Sequence, residues 1–290
     1  MYNPNPGYPP NPNYPGYPPN QGYGGYPPQQ PPPQQGYPGY PPTNDYNAGG
    51  GYSNYNPEAG YDGFEGFSNK AIRLGFIRKV YGILSIQLAI TFGFVFALSG
   101  SDTARNWTRQ NSWLLFVALG VVLVTMIVLS CCGDVARKTP HNYICLFLFT
   151  LAESFLVGVT ASLYQFQIVL YAVMITAVIC VGLTLFAMQT KIDFTVYNGM
   201  LFVVFMVFAL FGLIMMFFPR NNTMHLVYAC IGAFLFSAFL LIDTQMIVGG
   251  SHKLQFTAED YVFASLTLYL DIIQIFLYIL QILQSASNEN

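Results

Sequence analysis

From residue 80 onward, apolar stretches of about twenty residues follow one another with only short polar interruptions: 80–98, 113–131, 143–163, 167–188, 196–218, 224–249 and 262–283. A helix of about 20 residues crosses the hydrocarbon of a bilayer. Charged residues are 8 % of the chain and hydrophobic residues 53 %, too few charges to coat a water-soluble protein of 290 residues. The runs lack the alternation of a barrel strand, and an unpaired backbone group in lipid is costly, so helix is the state each run must adopt. The expected fold is an all-α membrane protein, a bundle of seven transmembrane helices over residues 69–284.

Residues 1–68 obey a different rule. Seventeen of the nineteen prolines lie between Pro4 and Pro57, and Gly-Tyr-Pro-Pro recurs, as at Gly7-Tyr8-Pro9-Pro10 and Gly16-Tyr17-Pro18-Pro19. Proline removes backbone donors and glycine adds entropy that folding must overcome, so an extended, disordered tail is expected. The start of the chain has no apolar core and does not read as a cleaved signal peptide. Such a tail can recruit tail-binding modules with aromatic-lined grooves, or it can be passive. A second short tail, 285–290, closes the chain.

Charge orients the bundle. With the N-terminus cytoplasmic, Lys70, Arg73, Arg78, Lys79, Arg137, Lys138, Lys191 and Lys253 face the cytoplasm, against Arg105, Arg109 and Arg220 outside. Eight against three is the expected positive-inside bias. Two glycosylation sequons, Asn106-Trp107-Thr108 and Asn221-Asn222-Thr223, fall in the outer loops of this topology.

Five cysteines and three histidines show no metal-site or disulfide spacing, no nucleophile motif or His-Glu-x-x-His is present, and no basic patch fits nucleic acid. The chain does not read as an enzyme, and no cofactor is expected.

Three acids remain inside the spans: Glu153, Asp243 and Asp271. An ionisable group at that depth is expensive and points to function. Asp243 lies about 9 Å from the inner end of the sixth span and Asp271 about 14 Å into the seventh, roughly one turn apart in depth. A short loop joins the two helices, so the carboxyl groups are expected to face each other and couple their titrations. They can share a proton, or contact a hard cation such as calcium when both ionise; either event relieves repulsion and can change helix packing. The alternative is that each acid is protonated and hydrogen-bonded to a neighbouring helix. Glu153, near the midplane, is a candidate for the same path. So is Gln274, three residues after Asp271 and able to share its helix face. Thr244, Gln245 and Tyr269 are nearby polar groups.

Four stretches resemble the transmembrane Bax inhibitor motif family, specifically its Lifeguard branch: Phe76-Ile77-Arg78-Lys79-Val80-Tyr81-Gly82-Ile83-Leu84-Ser85-Ile86-Gln87-Leu88, Phe147-Leu148-Phe149-Thr150-Leu151-Ala152-Glu153-Ser154, Leu241-Ile242-Asp243-Thr244-Gln245 and Leu266-Thr267-Leu268-Tyr269-Leu270-Asp271. The resemblance covers roughly residues 70 to 283. It implies a seven-helix fold of the Bax inhibitor type, a calcium leak that lowers stored calcium, and restraint of apoptosis. It also implies that Asp243 and Asp271 match an aspartate pair that senses pH, and that Arg137 is a candidate for an arginine latch on that pair. The sequence departs from the family pattern at Ile242, where a tyrosine is frequent. Golgi and endoplasmic reticulum are the membranes the resemblance favours, with the plasma membrane also compatible. The leading expectation is a pH-sensitive calcium leak channel. A non-conducting adaptor that binds death-signalling proteins is the alternative, and a secondary transporter ranks third because internal repeats are absent.

Overall fold

The computed structural model describes residues 57–132, 136–215, 217, 222–250 and 252–288, with side chains between Lys70 and Ser287. Of the tail expected over residues 1–68, residues 1–56 lie outside them. The elements are α1 (Pro57–Ser99), α2 (Asp102–Gln110), α3 (Trp113–Cys131), α4 (His141–Ala161), α5 (Phe166–Gln189), a 3-10 turn (Phe194–Tyr197), α6 (Asn198–Met215), α7 (Asn222–Val248) and α8 (Tyr261–Asn288).

Seven segments of the described residues are long and apolar enough to cross a membrane: Lys70–Ser99, Trp113–Cys131, His141–Ala161, Phe166–Gln189, Phe194–Met215, Asn222–Val248 and Tyr261–Ser287. They form the seven-helix membrane bundle that the apolar runs predict. Helix α1 starts well before the apolar run that opens at residue 80, and Arg73 on this extension bonds backbone acceptors described below. α1 itself reaches back to Pro57, and α8 continues to Asn288.

The order of burial follows from sequence. α8 buries Ile272, Ile273, Ile275, Phe276 and Leu280 together with Asp271. In lipid an apolar face can meet acyl chains, so it is the helix carrying polar groups that belongs in the interior. α8 packs against α7, α1, α5 and α4 and is the hub of the bundle. α1 also packs on α4, and α4 on α3. α6 is peripheral, seated on α7 and the 3-10 turn, and turns Phe202, Val203, Val207, Leu210 and Ile214 outward. Lipid is the natural solvent for that face.

In a bilayer, helix association rests on close packing rather than on expulsion of water. Gly232 on α7 shows how close: a Cβ there would stand 2.6 Å from the Tyr278 ring of α8. Between α7 and α8 the chain turns through Gly249 and Gly250 at φ of 68° and 89°, backbone that L side chains rarely adopt.

The stretch between α1 and α3, an outer loop by hydropathy, carries the short helix α2. Ser101 caps it by accepting from the Ala104 N–H, Asp102 occupies the first turn and Arg109 the last, the polarity a helix dipole favours. The first sequon falls inside this helix, and Thr108 is buried with its hydroxyl donating to the Ala104 carbonyl. Asn221 of the second sequon lies outside the described residues.

Candidate functional site

Asp243 is half-buried on α7, while Asp271 is buried on α8, 6 % exposed. Their depths follow from helix geometry: Asp243 is about 7.5 Å from the end of α7 and Asp271 about 15 Å from the start of α8. The charges of the two carboxyl groups act on each other. Thr267, one turn before Asp271, hydrogen-bonds Asp243. Cys180 brings α5 to the same place, within electrostatic reach of Asp271. Asp271 Oδ2 is buried and has no hydrogen-bond partner among the described residues. An unsatisfied oxygen of this kind costs about 1–3 kcal/mol, so it needs a reason beyond packing. A proton, water or a cation would each satisfy it.

Arg137 lies elsewhere. Its Nη2 is 2.9 Å from Asp260 Oδ1 and its Nε donates to the same oxygen at 3.0 Å, on an exposed face before α8. In this structure it ties the loop after α3 to the start of the last helix and does not engage the aspartate pair. Asp260 also accepts from the Thr257 hydroxyl and N–H. Burial raises the Asp260 pKa, but the bonds from Thr257 and Arg137 outweigh it and hold the carboxyl below its usual range.

This end of the bundle is laced together by groups that hydropathy alone does not reveal. Arg73 of α1 donates to the carbonyls of Met246 at 2.6 Å, Val248 at 3.2 Å and Phe256 at 2.7 Å. Two of these belong to the last turn of α7, where unsatisfied carbonyls and the helix dipole both favour a cation. Gln245, a neighbour of the aspartate pair in sequence, points to the α5–α6 loop instead: it donates to Ile192 O and accepts from Phe194 N, each at 2.8 Å. Asp193 accepts from the Thr195 hydroxyl at 2.6 Å, the Thr195 N–H at 3.1 Å and the Lys253 N–H at 2.8 Å, and lies 3.2 Å from His252 Nδ1. The Thr195 hydroxyl above all, together with the backbone donors and His252, lowers its pKa to about 2. The signal for these contacts is polar chemistry at span ends, in Arg73 and in Thr190-Lys191-Ile192-Asp193, which a hydropathy reading treats as topology markers.

Nearer the midplane a polar cluster joins α1, α4 and α8. Thr91 Oγ1 lies 2.8 Å from both Ser154 Oγ and Tyr269 Oη, and Gln87 Nε2 donates to Thr150 Oγ1 at 3.0 Å. Gln87 and Thr91, four residues apart, face Thr150 and Ser154, also four apart, so both helices present their polar pairs at helical spacing. Tyr269 is fully buried here, with its ring edge-on to Phe149. Its side chain is thus both a packed aromatic and a hydrogen-bonding group.

Glu153 and Gln274 fall together: both line a cavity of about 370 Å³ bounded by α3, α4, α6, α7 and α8, whose lining includes neither aspartate. Among the described residues no group of three or more His, Cys, Asp or Glu side chains assembles into a metal site.

A family model described as inhibitor of apoptosis-promoting Bax1 matches residues 73–288. The chain is 37 % identical over 243 residues to protein lifeguard 3 of Homo sapiens, covering 82 % of this chain and 78 % of that protein. It is 38 % identical over 222 residues to protein lifeguard 3 of Mus musculus, covering 76 % and 72 %. Over 225 residues it is 35 % identical to Bax inhibitor 1 of Schizosaccharomyces pombe, covering 76 % and 80 %. The match runs through every spanning helix, the aspartates of α7 and α8 and the polar clasp at the end of α7, and the chain belongs to the Bax inhibitor-1/Lifeguard family, membrane proteins associated with calcium and apoptosis regulation that are not enzymes.

Proposed function

We propose that this protein is a calcium-permeable, pH-sensitive leak channel of the Golgi or endoplasmic reticulum, with its N-terminus cytoplasmic, that lowers stored calcium and thereby restrains apoptosis. One observation carries the reading: the carboxyl groups of Asp243 and Asp271 interact across the α7–α8 seam, and Asp271 Oδ2 has no hydrogen-bond partner among the described residues.

The mechanism follows from the charge states of that pair. With one proton shared between them, the two carboxyl groups attract and α7 stays packed on α8. With both ionised they repel in a medium of low dielectric, and the repulsion falls when the helices part or a cation enters. Two carboxylates supply fewer oxygens than the six to eight that calcium takes when held tightly. The pair is therefore a contact on a path, where binding must be weak enough to release the ion. The clasp around Arg73, Gln245 and Asp193 limits movement at one end of the seam, so opening is a local change at the depth of the aspartates. Tail-binding modules are the partners that the proline-rich residues 1–68 would recruit.

The test is calcium flux into liposomes carrying the purified chain, recorded against pH, for the wild type, Asp243→Asn and Asp271→Asn. Flux that depends on pH and is altered by either substitution supports the channel. Absence of flux at every pH from folded protein overturns it and transfers the function to a non-conducting adaptor for death-signalling proteins.

A further inference from the structure

The cavity shared by Glu153 and Gln274 has a chemistry unlike the rest of the bundle. Its wall is a continuous aromatic cluster: Phe208 stacks on Tyr228 at 4.2 Å and 5°, Tyr278 meets Phe208 edge-on at 6.0 Å, and Phe205 meets Phe236 edge-on at 6.0 Å. The only carboxyl group in that wall is Glu153, which is 9 % exposed. It lies about 18 Å into α4, near mid-membrane. No hydrogen bond or ion pair reaches it from the described residues, although Tyr269 lies within electrostatic reach. The cavity is partly open, and exposed residues of α3 and α6, Leu123 and Val207, flank its lining. α3 and α6 form two of its walls, and each packs on a different neighbour, α3 on α4 and α6 on α7. By contrast, the cavity of about 490 Å³ beside α5 and α6 has no charged group in its lining, and acyl chains would fill it without specific chemistry.

A buried carboxyl without a partner, set in aromatic rings and reachable from the bilayer, is complementary to one class of ligand. Ring faces attract an organic cation, the carboxylate supplies its counter-charge, and the apolar remainder lets the molecule arrive through lipid. A volume of about 370 Å³ is that of a small-molecule site. A lipid acyl chain would fill the space but leave Glu153 unpaired, and an inorganic cation would gain one carboxyl group and an amide while leaving the aromatic wall unused. We propose that this cavity is a binding site for compact lipophilic amines, held as ammonium by Glu153 against the aromatic cluster. The site is separate from the aspartate pair and does not depend on conduction.

The experiment uses the full chain in lipid nanodiscs and tritiated 1-adamantylamine, with empty nanodiscs to subtract partitioning into lipid. Binding is competed with the unlabelled amine and with 1-adamantanol, which has the same cage and no charge. Saturable binding is expected, with the alcohol at least tenfold weaker as a competitor. Glu153→Gln, which keeps the shape, is expected to weaken the amine at least tenfold. Ala209→Leu, which narrows the cavity and keeps the carboxyl, is expected to do the same, and it stands in should Glu153→Gln fail to elute as a folded monodisperse species. Equal competition by amine and alcohol overturns the proposal in favour of a plain lipid pocket. So does the absence of a saturable component, or amine affinity unchanged in both variants.

Discussion

Asp260, just before α8, and Asp193, in the α5–α6 loop, each accept several hydrogen bonds, whereas Asp271, deep in the α7–α8 seam, leaves Oδ2 with none. Residue type is shared, so the difference lies in what surrounds the carboxylate. At the loop end, turns expose N–H groups and hydroxyls, and long cationic side chains can bring charge from the interface. Within the spans every backbone N–H is already used by its own helix, so a carboxylate there can be satisfied only by a side chain, a water, a proton or an ion. The loop-end acids are therefore fasteners, and the deep pair is where the proposed function has a proton or a cation bind.

The largest effect expected from this contrast is on flux. Asp271→Asn removes one charge of the pair and supplies an amide donor, so the pH dependence of calcium flux should vanish, with flux at the two ends of the pH range converging from a difference of about tenfold, a coupling of ordinary size. Thermal stability in detergent should not fall, because the substitution abolishes a buried charge. Unchanged pH dependence would remove the deep pair from any sensing role.

Stability is where the fasteners should show. Arg73→Ala deletes all three bonds to the carbonyls of Met246, Val248 and Phe256, and a loss of about 2 kcal/mol is expected for a part-exposed charged donor of this kind. Chemical or thermal unfolding of the detergent-solubilised chain would measure it. Arg73→Lys should recover only part, since an ammonium cannot reproduce the fork of a guanidinium. No loss in Arg73→Ala would mean that water caps the end of α7 equally well.

Asp193 makes a pH-dependent prediction. Its folded pKa, about 2, lies below the usual 3.8. A carboxylate depressed on folding stabilises the fold above its unfolded pKa, and that contribution disappears as pH falls through the folded value. The melting temperature of Asp193→Asn should thus lie below wild type at neutral pH, and the two should converge as pH drops from 3.8 to about 2. A gap that stays constant over that window would show that the bonds from Thr195 and Lys253 do not depend on the charge.

Sequence reveals the parts of this molecule that lipid dictates and conceals those that side chains negotiate with one another. Seven spans were legible because each apolar run must be a helix of membrane length. α2 was not, since its Ser101, Asp102 and Arg109 signals are local capping chemistry in a stretch that hydropathy marks only as polar. The aspartates stood out because acids are rare at that depth, and their positions on α7 and α8 followed from counting turns. Counting turns could not say that Gln274 joins Glu153 around a separate cavity, because the rotation of a helix about its own axis is set by packing. Gln245 faces the α5–α6 loop for the same reason.

The smallest effect, and the one that most sharpens the contrast, concerns Arg137. Its pair with Asp260 has side chains 53 % and 21 % exposed, so solvent screens it. A double-mutant cycle of Arg137→Ala and Asp260→Asn should give a coupling of about 0.5 kcal/mol, the range of exposed pairs. Asp260→Asn alone should cost somewhat more than the coupling, because Thr257 loses its charged acceptor as well. Calcium flux in Arg137→Ala should match wild type at every pH if Arg137 is only a fastener. A change in its pH profile with melting temperature unaltered would show that the guanidinium leaves Asp260 and reaches the deep pair in another state of the protein. The two classes of carboxylate would then be linked by one arginine, its exchange between them forming part of the gate.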